Sequence, residues 1–456
     1  MRNDMFDSIS DAALVGSVGA AFDPEHSNML HRWQRHHDWW QQRQSASIHS
    51  YSRSVLGRIG PEVPTRTKAG TIHHGVNFAS QDYLSLSSHP EILEAAKEAI
   101  DRFGVHSAGS AALMGNTQLS LELEQRLASF LGYADCTVFP TGWAAGYGII
   151  KTLVRETDFI VIDRLAHASL MEGARNATPN VQRVAHLSNE AVARRLERIR
   201  CDQPSAAILV VTETAFSMDS DVPDLAPLID ICRRWGATLM VDAAHDVGAI
   251  GPSGRGFIEQ QGLTGKIDIL MGSFSKTFAS NGGFVACNHP ALKMALRMSC
   301  GPSTFSNALS PVQAAVVLKA LDIVQSADGQ ERRRRLMANA RTLRRKLADA
   351  DFRLLGEPTA IIPTILGNSA LSRLTTRYAL ENGAIVNLVE HPAVSPGTCR
   401  WRLQVMAAHT EQQLDKVVEI AVLAREMATA HLSFLADGAA ASPPEPAPVD
   451  EALASS

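Results

Sequence analysis

The chain has 456 residues, a formal net charge of -4, 45% hydrophobic and 20% charged residues. These are the proportions of a globular protein long enough for a large core and a second, smaller domain. They exclude a polycation built for nucleic acid or an anionic membrane, and no apolar run approaches the roughly 20 residues that span a bilayer.

Residues 1–75 are polar and mixed, with Trp33, Trp39 and Trp40 among arginines, histidines and glutamines. They are expected to form an arm packed on the body or on a second subunit, the alternative being a docking surface for a carrier protein. Met1-Arg2-Asn3-Asp4 lacks the pattern of a signal peptide. The cysteines, Cys136, Cys201, Cys232, Cys287, Cys300 and Cys399, are scattered without a Cys-x-x-Cys pair. Buried free thiols in a reducing cytosol are expected, and no metal site.

Further on, short apolar runs alternate with amphipathic segments. Strands are predicted at Cys136–Phe139, Phe159–Ile162, Ala207–Thr212, Thr238–Val241, Ile267–Met271 and Gly283–Ala286. Helices are predicted between them, at Glu122–Leu131, Ala191–Arg200 and Leu225–Trp235. That order defines an α/β fold, a mostly parallel sheet with helices on both faces. Ligands of such sheets collect at the C-terminal ends of the strands. From Pro311 to about Asp351 the pattern is long helices. Strands at Ala360–Leu366, Ala384–Leu388 and Arg400–Val405, a helix near Ala370–Glu381 and another from Glu411 make a smaller α+β domain. The expected boundaries are an arm at 1–75, a large domain at 76–320, a small domain at 321–433 and a Pro/Ala-rich disordered tail at 434–456.

The strand ends carry the chemistry. Ile267 to Met271 leads into Gly272-Ser273-Phe274-Ser275-Lys276-Thr277, then Gly282-Gly283. A lysine desolvated there has a lowered pKa and, as a neutral amine, can form an imine with an aldehyde. Ser273 and Ser275 can donate to a phosphate beside it. Thr238 to Val241 delivers Asp242, which in a buried place needs a partner. A protonated pyridine nitrogen is one, a helix cap or salt bridge another. His245 can reach the same ring, and His167, between small residues, can stack on its face. Thr141-Gly142-Trp143 leaves a strand and opens a small-residue helix, whose free N–H groups suit a phosphate. Arg400 and Arg402 share one strand face, and one of them can hold a carboxylate in a bidentate fork. These are the anchors that pyridoxal phosphate needs.

From about Asn77 to Ala430 the chain resembles the α-oxoamine synthases. The matching elements run in family order: Asp82-Tyr83-Leu84-Ser85-Leu86, Thr141-Gly142-Trp143, His167-Ala168-Ser169, Glu213 with Ser217-Met218-Asp219, Asp242 with His245, Ser275-Lys276, Gly282-Gly283, Phe305-Ser306, and Arg400 to His409-Thr410. The resemblance implies an aspartate aminotransferase-like, fold-type I pyridoxal-phosphate transferase that condenses an amino acid with an acyl thioester and releases carbon dioxide. The donor it implies is acyl-CoA or an acyl carrier protein. It implies Lys276 as the imine lysine, Asp242 as pyridinium partner, His167 as stacking base and His245 as contact to the phenolic oxygen. Thr141, Gly142, Trp143, Ser273 and Ser275 would hold the phosphate. Ser306 or Asn307 would reach the phosphate of the other subunit of a homodimer, and Arg400 and Ser169 would bind substrate. An aminotransferase, an aldolase or a silent scaffold subunit are the rival readings. Ala243, Asp246, Ser120, Ala111 and Gly146 depart from the usual family residues; the resemblance implies that the loop from Ala111 to Ser120 lines the acyl entry side, and its smaller, less charged residues fit an unusual acyl donor.

Overall fold

The computed structural model describes residues 6–441. Among the described residues, fourteen strands run in chain order. The first three are β1 (Ser54–Val55), β2 (Glu62–Arg66) and β3 (Ile72–Asn77). The next seven are β4 (Asp135–Phe139), β5 (Phe159–Asp163), β6 (Val181–Val184), β7 (Ile208–Glu213), β8 (Thr238–Asp242), β9 (Ile269–Ser273) and β10 (Gly283–Cys287). The last four are β11 (Ile361–Gly367), β12 (Ala384–Ile385), β13 (Leu388–Val389) and β14 (Cys399–Gln404).

β4 to β10 form one sheet of order β4-β10-β9-β8-β7-β5-β6. All neighbours are parallel except β10, which lies antiparallel between β4 and β9. β7 and β10 are buried along their whole length, as a sheet covered on both faces requires. Alternation sorts the residues into two layers. Ile160, Ile162, Leu209, Val211, Met240 and Met271 pack on one side, and Val161, Val210, Val241 and Leu270 on the other. Gly146 belongs to the helix Gly142–Leu153 on the first side. A Cβ there would stand 2.7 Å from Ser169 Oγ, so glycine is what lets this helix close on Ala168–Ala177.

Because β10 reverses beside β9, Gly283 pairs with Ser273, and residues 274–282 fold back over the ligand end of the sheet as a hairpin connection. Gly282 has φ +117°, and a side chain there would meet the Phe274 ring at 2.8 Å. Only glycine closes this turn.

The second region holds β11-β14-β13 and a four-stranded sheet, β1-β2-β3-β12, in which β3 and β12 run parallel. The single strand expected over Ala384–Leu388 is two short ones in different sheets. The break at Val386-Asn387 is held by Arg53, which donates to Val386 O (2.6 Å), and by Asn387, whose side chain donates to Ala79 O (2.8 Å). The helix Glu411–Ala441 continues through the start of the expected tail, whose residues 442–456 lie outside the described part. Among the described residues no helix is long and apolar enough to cross a membrane.

The arm is fastened by a buried ion triad. Glu390, 6% exposed, accepts from Arg43 on the helix Gln34–Ser45 (2.9 Å) and from Arg373 on the helix Ser369–Glu381 (2.5 Å). Arg373 also donates to the carbonyls of Ala13, Leu14 and Gly16, closing the helix Asp11–Val15. The Trp39 ring lies 4.8 Å from one guanidinium and 5.6 Å from the other. Removing one member of a buried ion cluster strands the others. Glu390→Gln is therefore expected to lower unfolding stability by about 3–5 kcal/mol in urea titration. A loss below about 1 kcal/mol, the range of a surface pair, would show that the triad is not a fastening.

Candidate active site

Four strands bring their C-terminal ends together. β5 ends at Asp163, β7 at Glu213, β8 at Asp242 and β9 at Ser273, with Glu213 paired to Asp242 in register. Buried Asp242 accepts the Ala244 N–H (2.9 Å). Burial pushes its pKa up, and the nearby His167 and Lys276 pull it back. Glu213 accepts the His167 backbone N–H (2.6 Å), and burial with Asp242 beside it pushes its pKa well up. At Lys276 desolvation lowers the amine pKa, Arg402 lowers it further, and Asp242 and Glu213 oppose them. Lys276, Asp242, His167 and His245 are thus close enough to act on one another's charge.

The two histidines are held differently. His167 Nδ1 bonds the Ser169 hydroxyl (2.9 Å), and its ring stays open beside Trp143, with centroids 6.1 Å apart. Desolvation and the charges of Lys276 and Arg402 lower its pKa, against Asp242. Ser169, expected at the substrate, is buried and turned to His167 instead. His245 is buried with Nδ1 against the Tyr83 hydroxyl (2.9 Å), and desolvation holds it neutral, well below its usual pKa.

Thr141 caps the helix it precedes through the Ala144 N–H (3.0 Å). A Cβ on Gly142 would sit 2.7 Å from Ser273 Oγ, so this helix N-terminus rests against the end of β9. Ser273 Oγ accepts the Ser275 N–H (3.2 Å), and Ser275 is exposed. Free amides and two hydroxyls therefore border one place. A cavity of about 680 Å³ opens beside it, lined among others by Ser80, Gln81, Ser275, Lys276, Asn281 and Gln313.

Three expected residues stand elsewhere. Ser306 donates to Pro302 O and Asn307 meets His106 (3.2 Å), so one protomer does not bring them to Lys276. Arg400 is engaged by the Asp219 carboxylate and donates to Thr398 O (3.1 Å). The arginine that faces the cluster is Arg402, which shifts Lys276, His167 and His245. Its Nε donates to Ser217 O (2.5 Å), while the buried Nη2 has no partner. The position of the loop after β7 decides between the two arginines, and strand alternation does not contain that information. Glu213 was legible by the reasoning applied to Asp242, since it too ends a buried strand.

The residues fit pyridoxal phosphate. Asp242 carries a buried charge to which a ring nitrogen can donate, His167 offers an open face, and the Gly142 and Ser273 cradle admits an anion at a helix N-terminus. Fold and site thus define a fold-type I pyridoxal-phosphate transferase. The family model for aminotransferase class I and II matches residues 73–420. The chain is 35% identical over 379 residues to 8-amino-7-oxononanoate synthase of Geobacter sulfurreducens, covering 83% of this chain and 94% of that one. It is 34% identical to 2-amino-3-ketobutyrate coenzyme A ligase of Escherichia coli, over 76% of this chain and 86% of that one. A structure of serine palmitoyltransferase from S. paucimobilis, with a bound PLP–myriocin adduct, superposes with TM-score 0.82 at 30% identity, covering 88% of this chain and 100% of that one. The chain belongs to the α-oxoamine synthases, pyridoxal-phosphate-dependent acyltransferases.

The loop that holds both arginines is itself pinned by His186, which bonds Asp163 (2.9 Å) and Asp221 (3.0 Å). Burial alone would lower the His186 pKa, but the two carboxylates outweigh it and raise the value to about 9. A raised histidine stabilises the fold fully below its unfolded pKa, and that contribution is lost as pH rises through the folded one. His186→Gln should therefore destabilise the protein near neutral pH, with the gap to wild type closing above about 9 in urea unfolding. A gap independent of pH would show that the imidazole is not charged.

Proposed function

We propose that Lys276, Asp242, His167 and Arg402 carry out the decarboxylating condensation of an amino acid with an acyl thioester, giving an α-amino ketone. The observation that carries the assignment is buried Arg402, whose Nη2 has no hydrogen-bond partner by geometry, beside the Tyr83 hydroxyl, and whose charge acts on Lys276, His167 and His245. An unsatisfied guanidinium nitrogen is costly unless a ligand completes it. The carboxylate of the amino acid is the complement, held as a fork while Ser217 O fixes the other edge.

When bound, pyridoxal phosphate supplies an aldehyde for the lysine and a ring that withdraws electrons from the reacting carbon. Asp242 keeps a positive charge at the ring nitrogen favourable, since a buried carboxylate is stabilised by a cation. Lys276, its pKa lowered by burial, would serve as the base that takes the α-proton. His167 would stack on the ring, its orientation fixed by the Ser169 hydroxyl. Neutral His245, fixed by Tyr83, serves the phenolic oxygen.

A homodimer completes the site. Phe305, Leu113 and Met114 are 86–90% exposed, and their loops are joined by Ala308 N to Gly109 O (2.8 Å). A second copy covering this patch would bring Ser306 and Asn307 to its phosphate. The six free cysteines support a reducing, cytoplasmic setting. The donor is taken as a coenzyme A thioester, the thiol named in the E. coli relative. A carrier-protein donor uses the same chemistry.

Free thiol should appear only when amino acid and acyl-CoA are both present, and Lys276→Ala should release none. Arg402→Met should raise the KM for the amino acid by about 100-fold, the worth of a charge-assisted pair, with Arg400→Met affecting it far less. The reverse ranking would return the clamp to Arg400.

A further inference from the structure

A second carboxylate is buried near Asp242. Asp246, on the same turn, has no exposed surface. Its Oδ1 meets the Thr214 hydroxyl (2.6 Å) and its Oδ2 accepts the Phe257 N–H (2.7 Å). A Cβ on Gly256 would lie 2.4 Å from Oδ2, so the backbone closes directly over the group.

Ionisable groups surround Asp246, yet none answers its charge. On its own turn are Asp242 and His245, the latter held neutral by burial and bonded to Tyr83. Across from it Glu213 precedes Thr214 and accepts the His167 N–H. On either side of Phe257, Glu259 accepts from Ser253 and the Arg255 N–H, while the Arg255 guanidinium donates to Phe130 O. Arg333 donates to Val324 O and Pro252 O. Among the described residues no cation is paired with Asp246.

A buried carboxylate without a cation tends to take up a proton. The Thr214 hydroxyl links that proton to Asp242. It carries one hydrogen and has two acceptors in reach, Asp246 Oδ1 and, at 3.3 Å, Asp242 O. With Asp246 ionised, the hydroxyl donates to it. With Asp246 protonated, the carboxyl O–H donates to Thr214, and the hydroxyl turns to Asp242 O. Burial, opposed by the Thr214 and Phe257 donors and aided by Asp242, lifts the Asp246 pKa to about 7.

We propose that Asp246 is a positioning residue that couples cofactor binding to proton release: it keeps a proton while Asp242 lacks a cation, and gives it up when a pyridinium pairs with Asp242. The proposal rests on the reading of Asp242 as partner of the ring nitrogen. Two buried carboxylates that act on one another resist being ionised together, and a cation at one relieves the other. By reciprocity, ionising Asp246 tightens cofactor binding by the same factor.

The test measures pyridoxal phosphate affinity of the full-length apoenzyme by equilibrium dialysis across neutral pH. Asp246→Asn, which copies the protonated form, is compared with wild type, and titration of the free cofactor cancels between them. Wild-type affinity should rise with pH by about tenfold more than that of Asp246→Asn, the equivalent of one pKa unit of coupling. Calorimetry in two buffers of different ionisation enthalpy should show wild type releasing more protons on binding than the variant. Thr214→Val removes a donor that favours the ionised form, and should move the transition to higher pH. The same pH dependence and proton count in wild type and Asp246→Asn overturns the inference. Should Asp246→Asn fail to fold, Thr214→Val decides: a raised transition supports the coupling, and an unmoved one refutes it. Asp242→Asn separates the two readings, because it should weaken binding at every pH. Undiminished binding there would remove Asp242 as the partner, whereas weakened binding with no effect of Asp246 would remove only the coupling.

Discussion

The structure depends on one constraint, that charged groups buried at the end of a sheet must be answered by other charges. Asp242, Glu213, Lys276 and Arg402 are all withdrawn from water, and each has its pKa displaced by that withdrawal first and by its neighbours second. Taken alone, any of them would neutralise. Together they form a cluster in which the Asp242 carboxylate suits a cationic ring nitrogen and the Arg402 guanidinium suits a carboxylate.

The fold meets that constraint by placing several short pieces over the strand ends. The reversal of β10 turns the segment carrying Lys276 back across the sheet, with glycine at Gly282 because nothing larger fits. The loop after β7 orients both arginines through Ser217 O and Asp219, and is itself tied to β5 by His186. Buried Asp246, which departs from the family pattern, accepts from Thr214 (2.6 Å) and the Phe257 N–H (2.7 Å), with burial raising its pKa to about 7. It braces the turn that presents His245, a structural role that explains why a carboxylate is tolerated there. Ser120 likewise closes a capping box with Thr117 at the start of the helix Gln118–Leu131 and takes no part in the cluster.

Much of this was legible in the sequence. The alternation of apolar runs and amphipathic segments marked the sheet, and the rule that ligands meet strand ends singled out Lys276, Asp242 and His167. What escaped is what depends on the path of loops. Arg400 and Arg402 have the same residue type and strand face, and only Asp219, brought in by a loop from the other domain, separates them. Ser169 was expected at the substrate from the family resemblance, yet its hydroxyl serves His167. The switch of sheets at Val386-Asn387 has no periodicity to betray it, because each strand is only two residues long.

The central claim is that Lys276 is the residue that holds the cofactor. Borohydride reduction of the holoenzyme, followed by proteolysis and peptide mass spectrometry, tests it most directly. The account predicts a pyridoxyl-phosphate mass on the peptide carrying Lys276 and on no other lysine. The mass on a different lysine, or holoenzyme that releases its cofactor intact after reduction, would contradict it.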